Sequence, residues 1–156
     1  MPGSGGKWVK VTELVLQGES ELTLDDKGRM TVPARFREVL AGLCAGHLTI
    51  TKHPTRCLLL FPRPAWVEFR TTLLGLPMDV EAWRRIFIGS AFDVEIDKGA
   101  RILISPELRK FAGLNKEMML VGMGSRLELW DRERYAALEE QTLALPMPDS
   151  LRNVVM

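Results

Sequence analysis

The sequence predicts an α+β protein made of two copies of one unit, each strand–turn–strand–helix–hairpin–helix. The first observation behind this is a repeat. Leu24-Asp25-Asp26-Lys27-Gly28-Arg29-Met30-Thr31-Val32-Pro33-Ala34-Arg35-Phe36-Arg37 returns as Ile96-Asp97-Lys98-Gly99-Ala100-Arg101-Ile102-Leu103-Ile104-Ser105-Pro106-Glu107-Leu108-Arg109. Asp25 and Asp97, Arg29 and Arg101, and Arg37 and Arg109 all stand 72 positions apart. Beyond a one-residue slip, Ala41-Gly42-Leu43 answers Ala112-Gly113-Leu114, and Leu58-Leu59-Leu60-Phe61 answers Leu127-Glu128-Leu129-Trp130. Self-similarity over such a span marks a repeated structural unit. The second observation is that short runs of period-two alternation interleave with runs of helical spacing. The third is size: 156 residues suffice for one ordinary domain, or for two small halves sharing one core. Neither half carries enough apolar surface to be stable alone.

Each element has a local cause. Leu16 to Leu24 alternates after Gly18, with Leu22 and Leu24 on one side, as a half-buried strand does. Asp25 to Gly28 has turn composition. Met30 and Val32 flank Thr31 in a second strand, which Pro33 stops because proline cannot donate to a ladder. Phe36, Val39, Leu40 and Leu43 make one helical stripe from Ala34 to Leu43, with Gly42 near its end. Leu48–Thr51 and Cys57–Phe61 read as a hairpin turning through His53–Arg56. Pro62 to Leu76 is a helix, with Trp66, Phe69 and Leu73 on one side. Pro77 to Glu81 breaks the chain, and Ala82 to Ile88 is a short helix leading into the second copy.

There, Phe92–Ile96 and Arg101–Ile104 are strands. Ser105-Pro106-Glu107 opens a helix with a hydroxyl cap, a first-position proline and an acid at the positive end of the dipole. Met118–Gly122 and Arg126–Trp130 form the next hairpin. Asp131 caps a last helix running to about Leu145, Pro146 and Pro148 end it, and a loose tail follows from Asp149. The implied division is a flexible leader over 1–15, half one over 19–66, a helical linker over 67–90, half two over 91–134, and a carboxyl-terminal helix and tail over 135–156.

Composition removes several classes. Hydrophobic content of 46% and charged content of 26% describe a soluble globular chain, and no apolar run is long enough to span a bilayer. The first residues have no apolar stretch like that of a secretory signal. Two cysteines, Cys44 and Cys57, without a tight pairing motif suit a reducing cytosol. Phosphate-loop, nucleophile-elbow and dinucleotide fingerprints are missing, so an enzyme is not expected, nor a cofactor or small-molecule substrate. The net charge is only +1, so any nucleic-acid binding needs local concentration of positive charge or multiplication by assembly.

The repeat supplies that concentration. Lys27, Arg29, Arg35 and Arg37 are four cations with no acid among them, whereas Lys98, Arg101 and Arg109 share their stretch with Glu107. Arginine on a tight loop suits DNA, because its planar fork pairs two acceptors on guanine or clasps a phosphate. Asp25 or Asp97 can accept turn amides and hold the guanidinium, ordering it beforehand. Gly28 and Gly99 shape the two turns. The rival reading is that Asp–turn–Arg locks a hairpin, and on the motif alone the lock is the stronger one.

The paired motif, together with Leu-Val-Gly-Met-Gly at 120–124 and Leu-Glu-Leu-Trp-Asp at 127–131, resembles the MraZ family of bacterial division and cell-wall regulators, over roughly residues 16 to 140. The resemblance implies two AbrB-like swapped-hairpin halves interlocked as a small β-barrel with outer helices. It implies a cytoplasmic, nucleoid-associated transcriptional regulator. Such a protein binds double-stranded promoter DNA at short direct repeats, as a ring-shaped homo-oligomer for which an octamer is one size. Arg29 is then the leading DNA contact, with Lys27, Arg35 and Arg37 supporting, and Arg101 and Lys98 acting likewise or holding neighbouring subunits. Leu74, Leu76, Trp83 and Phe87 could serve subunit contacts or be ordinary core.

Copy two departs from the family pattern: Gly99-Ala100-Arg101 replaces the Gly–Arg junction of Gly28-Arg29. Alanine tolerates positive φ poorly, so the second turn is expected to aim its arginine differently. Two chemical readings are set aside. Cys44, His47, His53 and Cys57 lack the knuckles of a structural zinc site, and copy two has Asn115, Glu117 and Arg126 near the matching places. Asp25 and Asp97 could form a carboxylate dyad, but the small hydroxyl and glycine residues such an enzyme needs do not follow them. The rival from another class is an oligomeric scaffold whose Asp-x-x-x-Arg loops serve subunit contacts.

Overall fold

In the computed structural model, residues 14–155 are described; most of the expected leader, 1–13, lies outside them. The strands are β1 (Leu16–Thr23), β2 (Arg29–Thr31), β3 (His47–Lys52), β4 (Leu58–Pro62), β5 (Phe92–Glu95), β6 (Arg101–Leu103), β7 (Glu117–Gly124) and β8 (Leu127–Asp131). The helices are α1 (Ala34–Cys44), α2 (Arg63–Leu74), α3 (Glu81–Phe87), α4 (Pro106–Phe111), α5 (Arg132–Leu143) and α6 (Asp149–Val155). A 3-10 turn over Met78–Val80 fills the expected break. The fold is mixed α+β.

The strands form a six-stranded antiparallel sheet, β1-β7-β8-β4-β3-β5, and a two-stranded ribbon, β2-β6. Their pairing crosses between the repeats. β1 runs along β7 from Leu16↔Gly124 to Thr23↔Glu117, and β5 runs along β3 from His47↔Glu95 to Ile50↔Phe92. Each copy's first strand therefore completes the other copy's hairpin. The hairpins meet through β4 and β8, where Leu58 faces Leu129 and Leu60 faces Leu127. Arg63 and Arg132, each opening the helix after a hairpin, fasten the visiting strands. Arg63 Nη2 lies 3.5 Å from Asp93 on β5. Arg132 Nη1 lies 2.6 Å from Glu117 and 3.9 Å from Glu21 on β1.

Alternation sets the layers. Met30 and Val32 from one copy, and Ile102 and Ile104 from the other, join Leu48, Ile50, Leu58, Leu60, Leu120 and Leu129 in one buried core, with Phe36, Leu40 and Leu108 from α1 and α4. Full burial of a side chain of this size contributes about 1.5–3 kcal/mol. The other sheet face is covered in two patches. Leu59, Phe61 and Trp66 pack with Phe69 and Phe87 under α2 and α3, and Cys57, Val121 and Trp130 pack with Tyr135 and Leu138 under α5.

Ser105 and Asp131 cap α4 and α5 as expected, their side chains accepting from Leu108 N and Arg134 N. Gly42 lies near the end of α1, which runs on to Cys44, and Ala45 and Gly46 turn the helix off at φ 53° and 81°. The repeat counterpart of Gly42, Gly113, stops α4 at φ 62°, with Leu114 N bonded to Arg109 O and Gly113 N to Lys110 O. The tail from Asp149 is helical rather than loose, because Leu151 N and Arg152 N both bond to Pro148 O.

Candidate nucleic-acid interface

The site is the solvent face of the β2–β6 ribbon and the two turns beside it. The register pairs Arg29 with Leu103, Met30 with Ile102 and Thr31 with Arg101. Since Met30 and Ile102 are buried, alternation puts Arg29, Thr31, Arg101 and Leu103 on the outer face. Backbone bonds extend the ladder at both ends, from Ile104 N to Gly28 O and from Val32 N to Ala100 O, each 2.8 Å. Two loops distant in sequence thus stand at opposite ends of one short ribbon.

Loop one is closed by Asp25. Its Oδ1 accepts from Lys27 N at 2.9 Å and Arg29 N at 2.8 Å, and its Oδ2 accepts from Arg29 Nε at 2.9 Å. The backbone adds Asp25 N to Arg29 O and Gly28 N to Asp25 O. Gly28 sits at φ 79°, where a side chain is strained. The N–H of Arg29 pointing at its carboxylate is the main reason that Asp25 titrates below its ordinary 3.8. Only one edge of the Arg29 fork is used: among the described residues its two Nη groups make no hydrogen bond.

Loop two repeats the backbone bonds, Asp97 N to Arg101 O and Ala100 N to Asp97 O, and Asp97 Oδ1 accepts from Arg101 N at 2.9 Å. The left-handed residue is Ala100, at φ 64°, rather than Gly99. The bonded frame therefore holds alanine where loop one has glycine. Gly99 serves the loop differently: a Cβ there would fall 3.0 Å from Arg101 Nε, so its bareness lets the guanidinium lie back on its own turn. As a result Arg101 Nε stays 3.8 Å from Asp97 Oδ2, and it is buried without a hydrogen-bond partner among the described residues. Asp97 is also held below 3.8, first by the Arg101 N–H, with smaller help from the Gly99 N–H and the charges of Arg101 and Arg29. Both acids stay charged, which suits bracing and not proton transfer.

Lys27, Lys98 and Arg37 are exposed, and none makes a side-chain hydrogen bond or ion pair among the described residues. Arg35 is not a free cation. Its Nη2 donates to the Glu19 carbonyl and, at 2.8 Å, to Ser20 Oγ, and its guanidinium lies against Gly18, so it ties α1 to β1. Arg109, a cation of the second copy, also lies against loop one. A Cβ on Gly28 would meet Arg109 Cζ at 2.8 Å, so this guanidinium rests on loop one. A pattern within one copy could not reveal a contact made between copies. Of the four apolar residues near the junction, Phe87 packs edge-on against Phe69, while Leu74, Leu76 and Trp83 are exposed along with Met78.

The family model described as "MraZ protein, putative antitoxin-like" matches residues 15–85 and again 87–153. Proteins of Burkholderia vietnamiensis and Burkholderia multivorans, each called "Transcriptional regulator MraZ", are 59% identical over 139 residues, covering 89% of this chain and 98% of theirs. A solution structure of PHS018 from Pyrococcus horikoshii aligns with a TM-score of 0.34 and 14% identity, over 70% of this chain and 91% of that one. Fold and site define an internally duplicated α+β protein that presents paired cationic turns, of a kind whose relatives are regulators and not enzymes. The chain belongs to the MraZ family.

Proposed function

We propose that this protein regulates transcription by binding double-stranded promoter DNA through the β2–β6 face. Arg29 leads the contact, Lys27 and Arg37 support it, and Arg101 and Lys98 extend it along the ribbon. The observation that carries the reading is the half-free fork of Arg29: one edge is fixed by Asp25, and the Nη edge is unspent on an outward strand. An ordered fork loses little side-chain freedom when it meets a base edge or phosphate. The relatives' name, transcriptional regulator, supports the same role.

The reading extends to assembly and place. A chain of net charge +1 holds DNA firmly when several copies present the same loop to repeated sites. A ring-shaped homo-oligomer facing direct repeats upstream of the division and cell-wall gene cluster, on the cytoplasmic nucleoid, meets that need. The exposed Leu74, Leu76, Met78 and Trp83 supply apolar surface for subunit contact. The halves over 19–66 and 91–134 are the two AbrB-like swapped-hairpin units of this design, a reading supported by the reciprocal pairing of β1 with β7 and β5 with β3.

The test is affinity for a duplex carrying the promoter repeats at several salt concentrations, with assembly mass measured alongside. Arg29→Ala should weaken binding at least tenfold and flatten the salt dependence while the assembly keeps its mass. An Arg29→Ala protein that falls into smaller species, while each species binds as before, would favour the scaffold reading.

A further inference from the structure

We propose that Arg109 is a DNA-contacting residue of loop one, lent by the other half of the chain, and that its target is a backbone phosphate. The proposal rests on the duplex-binding reading above and names a contact that reading does not contain.

Three observations place it. The Arg109 guanidinium occupies the space over Gly28: a Cβ there would lie 2.8 Å from Cζ and 3.0 Å from both Nε and Nη2. Gly28 is buried although it sits in a surface turn. Second, the side chain is fixed at one edge only. Arg109 Nε donates to Ile104 O at 3.0 Å, and Ile104 N donates in turn to Gly28 O, so arginine, strand end and turn form one bonded unit. Among the described residues its Nη groups make no hydrogen bond. Third, its charge is not offset. Arg29 has Asp25 at 2.9 Å and Arg101 has Asp97 at 3.8 Å, but no carboxylate lies within ion-pair distance of Arg109 among the described residues. A held guanidinium with a free fork and full charge matches a phosphate's oxygens.

Loop two has no equivalent. Ala100, left-handed at φ 64°, stands where loop one has Gly28, and a Cβ at Gly28 would fall 2.8 Å from the Arg109 guanidinium. Arg37, the repeat partner of Arg109, is exposed and unanchored among the described residues. The alanine therefore decides which loop receives a cation from across the repeat, and loop one becomes the phosphate-gripping end of the ribbon.

A phosphate contact is blind to sequence, so the experiment uses two duplexes, promoter and scrambled, in a salt series on the intact assembly. Arg109→Ala should weaken both by the same factor, about tenfold for each protomer on the duplex, as expected for one charged hydrogen-bonding group apiece. It should also lower the slope of log affinity against log salt by about 0.9 for each protomer on the duplex. Arg109→Lys should keep the slope. Gly28→Ala, which gives loop one the residue loop two already carries, should displace the guanidinium and weaken both duplexes while the mass of the assembly is unchanged. If Arg29→Ala weakens binding but Arg109→Ala and Gly28→Ala do not, this inference fails and the duplex reading stands. Should none of the three weaken binding, both fail. Loss of slope in Arg109→Lys as well as in Arg109→Ala would mark a folding role and overturn the phosphate contact.

Discussion

Loops one and two share a frame and differ in what hangs on it. Both close with the same two backbone bonds and the same carboxylate on the arginine amide. In loop one the glycine takes the left-handed position, the arginine bonds its acid, and a guanidinium from the other half seats itself on the turn. In loop two the glycine precedes that position, the arginine folds over it, and the left-handed residue carries a methyl. Backbone hydrogen bonds decide the path of each turn, while single methyl groups decide where the cations go.

The comparison breaks most severely if its shared support is removed. Met30 and Ile102 face each other at the middle of the ribbon, and each is almost fully buried. Met30→Ala and Ile102→Ala should each cost about 2–5 kcal/mol in urea unfolding. Similar costs would fit a ribbon that both copies support equally; a cost below 1 kcal/mol in either would mean that the ribbon is not packed as described. Next in size, Arg29→Ala should reduce duplex affinity several-fold more than Arg101→Ala, read by the same salt titration. Equal losses would erase the distinction between the loops.

The backbone contrast gives a smaller effect of opposite sign. Ala100→Gly relieves a left-handed alanine and should stabilise by up to about 1 kcal/mol, whereas Gly28→Ala should destabilise by a similar amount. Thermal unfolding of the two single variants checks it. Smallest are the titrations. Asp25 and Asp97 have folded pKa values below the ordinary 3.8, so the stability they lend is present above the unfolded value and is lost as pH falls through the folded ones. Carbon-detected NMR should find both carboxyl midpoints below 3.8. Away from the loops, burial pushes the Cys57 thiol up to about 12, so stability is complete below the unfolded thiol's 9.0 and declines as pH rises toward about 12. Alkylation at pH 8 should reach Cys57 only at the rate of unfolding.

The sequence made the repeat, the element order and both Asp–turn–Arg loops legible, because each is written in contiguous residues. The helix caps at Ser105 and Asp131 were readable for the same reason. What stayed hidden lies between copies or depends on space. Gly42 and Gly113 match in the repeat, yet only one ends a helix. Arg35 looked like another free cation until the Glu19 carbonyl and Ser20 took it. The seating of Arg109 on Gly28 joins residues that no local pattern relates. The helical turn of the tail follows from Pro148 accepting two amides, a bond that the proline's role as a breaker concealed.

Because β1 belongs to the far hairpin, the order of synthesis matters. Leu16–Thr23 leaves the ribosome with no strand to pair with until Glu117–Gly124 has been made. During that interval the nascent chain carries an open edge, a long-separation contact that slows folding. Two neighbouring chains offer each other the same vacancy, so dilute refolding should favour self-closure and crowded refolding should favour intermolecular exchange.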